Sequence, residues 1–172
     1  MNASNIRAQT LIATLQLQAH PEGGWFREVF RSAQQVQPAD ARPGRSALTS
    51  IYFLLETGKR SHWHRVLSDE VWVHLEGDAL DLWAWDALKN EAVCTVLGPV
   101  AAEGGQGPQH VIEAGLWQAA MPQAGGVAGY TLVACMVGPG FDFADFTMMD
   151  AQSREASLLR QAWPQLAGFI PG

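Results

Sequence analysis

Between residues 25 and 147 the apolar residues fall into short runs rather than helical stripes: "WFREVF", "ALTSIYFLLE", "EVWVHLEG", "ALDLWAWD", "EAVCTVLG", "QHVIEAG", "LWQAAM" and "GYTLVACMVGPGF". Gly, Pro, Asn, Asp and Ser clusters separate them, as expected of strands joined by tight turns. One run alternates cleanly. Side chains of a strand point to opposite faces in turn, so Glu70, Trp72 and His74 share one face and Val71, Val73 and Leu75 the other. The apolar face is expected to be buried, which leaves Glu-Trp-His towards water or a pocket. Many short strands with no helical windows between them predict an all-β sandwich or barrel.

At the two ends the period changes. Ile6, Leu11, Ile12 and Leu15 give a helical stripe over 4–17, with Ser4 or Asn5 as its cap, and "HPEGG" at 20–24 breaks it. Ser153 is expected to cap a second helix, "REASLLRQAW", which Pro164 limits. "QPADARPGRS" at 37–46 is expected to be a mobile loop. With no repeat or linker, the expectation is one domain over 1–172: helix 1–19, β-barrel 20–147 and helical tail 148–172.

Composition narrows the function classes. The chain has 172 residues, 48% hydrophobic and 16% charged, which suits a soluble globular protein rather than a disordered one. A net charge of −6 with two lysines offers no basic stripe for releasing phosphate counterions, so a nucleic-acid partner is not expected. No run approaches 18 apolar residues and the first twenty lack a signal-peptide core, so neither membrane nor export is expected and the location is read as cytoplasmic. Cys94 and Cys135, 41 positions apart, are expected to be free buried thiols.

The candidate chemistry concentrates in "GKRSHWHRVLSDEVWVHLEG", residues 58–77. His62 and His64, at i and i+2 on a strand, point the same way about 6.6 Å apart and lean towards one ion or substrate. His74 lies roughly 13 Å along the strand from Glu70, too far to share an ion with it. In "WFREVF", Trp25, Arg27 and Val29 share a face, and Phe26, Glu28 and Phe30 the other. Glu28 is a buried acid or base if that second face is internal, and a salt-bridge partner at the sheet edge if not. Tyr52 and Tyr130, the only tyrosines, are either packing or a general acid opposite a histidine base. Trp72 and Trp117 suit a sugar or base platform, Arg27 and Arg65 a phosphate. Trp83 and Trp85 read as core or interface. The phenylalanines of "VGPGFDFADF" are expected to close a barrel end, with Asp142 and Asp145 at the surface.

The spacing Gly58, His62, His64, Glu70, Gly77 resembles the first motif of the cupin superfamily. The blocks "HPEGGWFREVFRS", "SHWHRVLSDEVWVHLEGDAL", "PQHVIEAGLWQAAM" and "VGPGFDFADF" are similar to one mostly uncharacterised branch of it, the RmlC-like branch compared with dTDP-sugar epimerases. The resemblance implies a double-stranded β-helix, or jelly roll, usually a homodimer, with His62, His64 and Glu70 facing inward as typical ligands of a divalent metal such as iron, manganese, nickel or zinc. His74, on the same strand face as Glu70 and Trp72, and Gln109 are further ligand-binding candidates. The sequence departs from the pattern in its second motif: "AAMPQAGGVAGYTLV" holds no histidine, although His110 is available from another strand. Three functions stay open: an isomerase or epimerase on a sugar or sugar nucleotide with a His/Glu acid–base pocket; a metal-dependent oxygenase or hydrolase; and a non-catalytic binder or sensor of a small, perhaps carbohydrate-like, molecule.

Overall fold

The computed structural model describes residues 3–101 and 105–172, with side chains from residue 6 onward. Its helices are α1 (Ala3–Thr14) and α2 (Arg154–Ala162), with 3-10 turns at Phe143–Asp145 and Pro164–Phe169. Its strands are β1 (Gln18–Ala19), β2 (Trp25–Arg31), β3 (Gln35–Val36), β4 (Arg45–Ser46), β5 (Thr49–Glu56), β6 (Ser61–Val66) and β7 (Asp69–Gly77). They continue with β8 (Leu80–Asp86), β9 (Glu91–Leu97), β10 (Gln106–Gly107), β11 (Gln109–Ile112), β12 (Trp117–Pro122), β13 (Tyr130–Gly138) and β14 (Phe146–Met148). One six-stranded sheet runs β1-β2-β5-β13-β7-β11 and the other β10-β9-β8-β12-β6-β14, with β3 and β4 paired apart. This is the expected all-β jelly roll with short terminal helices.

Alternation sorts the apolar side chains into three layers. Phe53, Leu55, Trp72, Leu80, Leu82 and Leu97 meet between the sheets. On the outer face of the first sheet, α1 lays Ala8 and Leu11 over Leu54 and Leu132. On the outer face of the second, Trp63, Trp85 and Trp117 pack against Met149, Leu159 and Phe169 of the C-terminal segment. Trp83 and Trp85 are therefore core, beneath the tail. Ser153 caps α2, its hydroxyl accepting from the Ala156 amide. The expected Ser4 or Asn5 cap falls outside the described side chains.

Four expectations change. Segment 37–46 is strapped down: Arg45 holds Asp145 bidentately at 2.7 and 2.8 Å, and Arg42 adds a bond at 2.8 Å. Asp145 is thus buried rather than at the surface. The Val71-Val73-Leu75 face is the outer one, and Leu75 is 46% exposed. Cys94 is also exposed, while Cys135 is buried.

Bulges decide where the period-two rule fails. Along β6 and β12, Gln118 pairs with His64 but Ala120 with Ser61, so His62 and Trp63 together oppose Ala119. A second irregularity separates Glu28 from Phe30 on β2. Among the described residues no helix is long and apolar enough to cross a membrane.

Candidate functional site

A cavity of about 250 Å³ opens between the sheets. Its floor begins in the turn after β1. His20 and Gly24 close that turn through backbone hydrogen bonds. Gly23 and Gly24 sit at φ +105° and +72°, where a side chain would be strained. A Cβ on Gly23 would lie 2.3 Å from the Arg60 carbonyl oxygen, and one on Gly24 2.8 Å from that of Leu54. The glycine pair therefore lets the turn press against β5 and β6, and this delivers the Glu22 carboxyl into the barrel. There Oε1 accepts from the Ser61 hydroxyl at 2.9 Å, while Oε2 lies 3.1 Å from His64 Nε2 and 3.3 Å from His20 Nδ1.

The bulge splits the histidine pair. It turns His64 and Ser61 inward and Trp63 outward. His62 does not line the cavity. Its Nδ1–H donates to the Glu22 carbonyl at 2.8 Å, and its own amide donates to the same oxygen. His62 is thus a clamp on the turn that carries Glu22.

Hydrogen bonds fix the tautomers. His64 Nδ1 lies 2.8 Å from the His62 carbonyl and must donate to it, which leaves a lone pair on Nε2 facing Glu22. His20 Nδ1 accepts the Glu22 amide at 3.3 Å and so also presents a lone pair. Burial pushes the Glu22 carboxyl up to about 8, only partly opposed by the Ser61 hydroxyl. The same desolvation lowers His64 and, joined by the charge of His64, takes His20 down to about 4. Around neutral pH Glu22 is therefore a carboxylic acid that donates to His64, and the pair holds one shared proton rather than an ion pair.

Glu70 enters from β7. Gln118 Nε2 donates to its Oε2 at 2.6 Å, and the Trp72 indole donates to Gln118 Oε1 at 3.1 Å. Indole nitrogen can only donate, so Trp72 dictates which way the Gln118 amide faces. The Cys135 thiol also bonds to Glu70, and burial beside two carboxyls raises that thiol well above its ordinary value. Glu70 is pushed up to about 6, chiefly by desolvation, which the charge of His64 opposes and that of Glu22 reinforces. Two carboxyls with different proton affinities thus share one chamber.

The walls are aromatic. Phe146 stacks on His64 at 5.4 Å, Phe143 on His20 at 6.2 Å, and Phe26 meets His20 edge-on at 4.5 Å. Phe141, Phe143 and Phe146 close the barrel end as expected. At the mouth, Arg31 pairs with Glu28 at 2.7 Å and donates to the Phe141 carbonyl at 3.1 Å.

Of the sequence candidates, the cavity brings together His64, Glu70, Trp72 and, at its rim, Glu28 in the salt bridge that was the alternative for it. The others lie elsewhere. Arg27 is outside, bonded to the Leu15 carbonyl, because it shares the outward parity of Trp25. Tyr52 packs on the α1 side of the first sheet. Gln109 is exposed beside Val73, whose outward face it shares. His74 bonds back to the Asp78 carbonyl at 3.2 Å, and His110 sits 3.4 Å from Thr95. Arg65 and Trp117 occupy the outer face of the second sheet, one position along β6 and β12 from His64 and Gln118. His20, Glu22 and Gln118 escaped the sequence reading; "HPEGG" carries the signal, since two chemistry-bearing residues there precede two glycines.

The expected metal set does not fit. His62 is turned out of the chamber, and among the described residues no group of three or more His, Cys, Asp or Glu is arranged to hold an ion.

A two-sheeted barrel that encloses an aromatic chamber with two buried carboxyl groups defines a jelly roll. The chain belongs to the cupin superfamily, in the family described as Cupin superfamily (DUF985), which its residues 9–149 match. A hypothetical protein from Leishmania major superposes with a TM-score of 0.79 at 34% identity, over 95% of this chain and 96% of that one. A protein from Shewanella oneidensis does so at 0.76 and 31%, over 99% and 95%. Oxalate decarboxylase from Bacillus subtilis shares only the fold, at 0.55 and 14%, over 90% of this chain and 37% of its own. No curated protein matches the sequence.

Proposed function

We propose that the protein is an isomerase or epimerase acting on a small carbohydrate-like molecule by acid–base catalysis. One observation carries this reading: Glu22 and Glu70 face one cavity with proton affinities pushed apart, to about 8 and about 6. Environments that separate two titratable groups in this way assign an acid and a base. At neutral pH Glu70 is mostly carboxylate and takes a proton from a carbon beside a carbonyl. The proton shared by Glu22 and His64 turns from the imidazole to the developing oxyanion, or is returned to the carbon. A chamber of about 250 Å³ lies below the roughly 300–1,000 Å³ of drug-sized sites, which favours a single ring over a sugar nucleotide. The aromatic walls suit the apolar face of such a ring. A metal-dependent oxygenase or hydrolase needs the His62 set and loses its support with it.

The test is proton exchange in D2O. Aldohexoses, ketohexoses and uronic acids are incubated with protein, and loss of C–H signals is followed by NMR. Exchange that disappears in Glu70→Gln supports the proposal. Saturable binding without exchange makes the protein a binder instead.

The uncovered face of the first sheet supports a homodimer. Val71, Val73, Leu75 and Val111 form an apolar stripe there, of which Leu75 and Val111 are 46% and 42% exposed. Light scattering on wild type and Leu75→Lys checks it, with the dimer mass expected only for the former.

A further inference from the structure

We infer that the cleft on the outer face of the second sheet is a second ligand site, for a small carboxylate with an apolar tail. It measures about 390 Å³ and is separate from the barrel chamber. The same two strands build both: His64 and Gln118 point inward, while Arg65 and Trp117, one position along, point into the cleft.

Unmet donors mark the site. The indole N–H groups of Trp25, Trp63, Trp72, Trp85 and Trp163 each donate to a protein acceptor. That of Trp117, a side chain only 4% exposed, has no partner among the described residues, and neither has the buried Nε of Arg65. The two groups are stacked, with the guanidinium carbon 4.8 Å from the indole ring centre. Arg7, Arg31, Arg42 and Arg45 each face a carboxylate, whereas Arg65 forms no ion pair among the described residues. Buried donors without acceptors are rare in folded proteins, and a carboxylate answers both of these while matching the guanidinium fork.

The surroundings select the rest of the molecule. Leu116 and the 99%-exposed Leu88 offer an apolar wall for a short hydrocarbon chain. Asp86 is already engaged by Lys89 at 3.1 Å and by two backbone amides, so it does not neutralise Arg65. Asp86 and Glu155 at the rim repel polyanions, so the site disfavours phosphates and nucleotides and admits a single negative group.

The indoles report on the two chambers separately. Protein labelled with 15N at tryptophan is titrated with 3-methylbutanoate, and the Trp117 resonance is assigned as the one absent from Trp117→Phe. The expected result is a saturable shift of the Trp117 Nε1–H while that of Trp72, which faces the barrel chamber, stays in place. Arg65→Met should weaken the interaction about tenfold or more, the usual cost of a charge-assisted hydrogen bond. Its unmoved Trp72 resonance shows that the variant is folded. Arg65→Lys, which keeps the charge but not the fork, should fall between. A static Trp117 signal at every ligand concentration overturns the inference. So does a shift that persists in Arg65→Met, one that Trp72 shares, or equal binding of the neutral 3-methylbutanamide.

Discussion

Two of the places where this barrel buries carboxyl groups treat them in opposite ways. Asp145 is met by two arginines, which hold its carboxyl below the usual range despite its low exposure. Glu22 and Glu70 are met by a hydroxyl, an imidazole, an amide and a thiol, none of them a fixed cation, and both are pushed upward. Burial alone therefore does not say what an acid is for. A guanidinium partner makes it a fastener for the 37–46 segment, whereas neutral partners leave a proton that is free to be given or taken.

The sharpest way to break this comparison is kinetic. Glu70→Gln and Glu22→Gln, near-isosteric changes, are each expected to lower proton exchange by about 10²–10⁴-fold, the usual worth of a positioned acid or base. Asp145→Asn should leave exchange by the folded protein within a few fold.

Next in size is the pH dependence of stability, read from urea unfolding. Glu22 rises from 4.5 to about 8 on folding, so the native state holds a proton that the unfolded chain releases. Stability then falls as pH rises through that window. His64, held below 6.5 in the native state, acts the other way and loses stability as pH falls below 6.5. The two oppose each other at lower pH, so the loss is clearest from about 6.5 to about 8. Across the whole Glu22 window it amounts to a few kcal/mol, and Glu22→Gln should remove it. Asp145 has the opposite sign: its contribution is present above 3.8 and is lost as pH drops through its lowered folded value.

Smaller again, Asp145→Asn should destabilise the fold by about 2 kcal/mol, because Arg45 loses its counter-charge while Arg42 keeps Asp40. Smallest is His62→Ala. It removes one hydrogen bond from the Glu22 turn, worth about 1 kcal/mol, and should slow exchange far less than His64→Ala. An equal loss in both would show that the HxH pair acts as a unit after all.

Which face of β7 points inward was not legible from alternation, but the strand pattern, the terminal helices and the shared face of Glu70 and Trp72 were, because alternation is a local property. So was the closing role of the phenylalanines. His62 was misplaced because a bulge adds one residue without any local signature, and parity counted across it comes out reversed. Arg27, Tyr52 and Gln109 were assigned by residue type, yet their facing depends on which side of the first sheet α1 and the opposite sheet occupy. Glu22 was hidden differently. Its position depends on how closely two glycines let a turn approach strands some thirty residues away in sequence, a distance that no periodicity reports.

The bulge at His62–Trp63 also acts as a phase marker. Upstream of it β6 runs in one frame, and downstream in the other. Deleting either of these two residues would leave Ser61 opposite Ala120 and His64 opposite Gln118, so His64 would stay in the acid chamber and Arg65 in the outer cleft. The extra residue thus sets a local bend rather than the contents of the two chambers, so β6 tolerates its loss more readily than a deletion on either side of it.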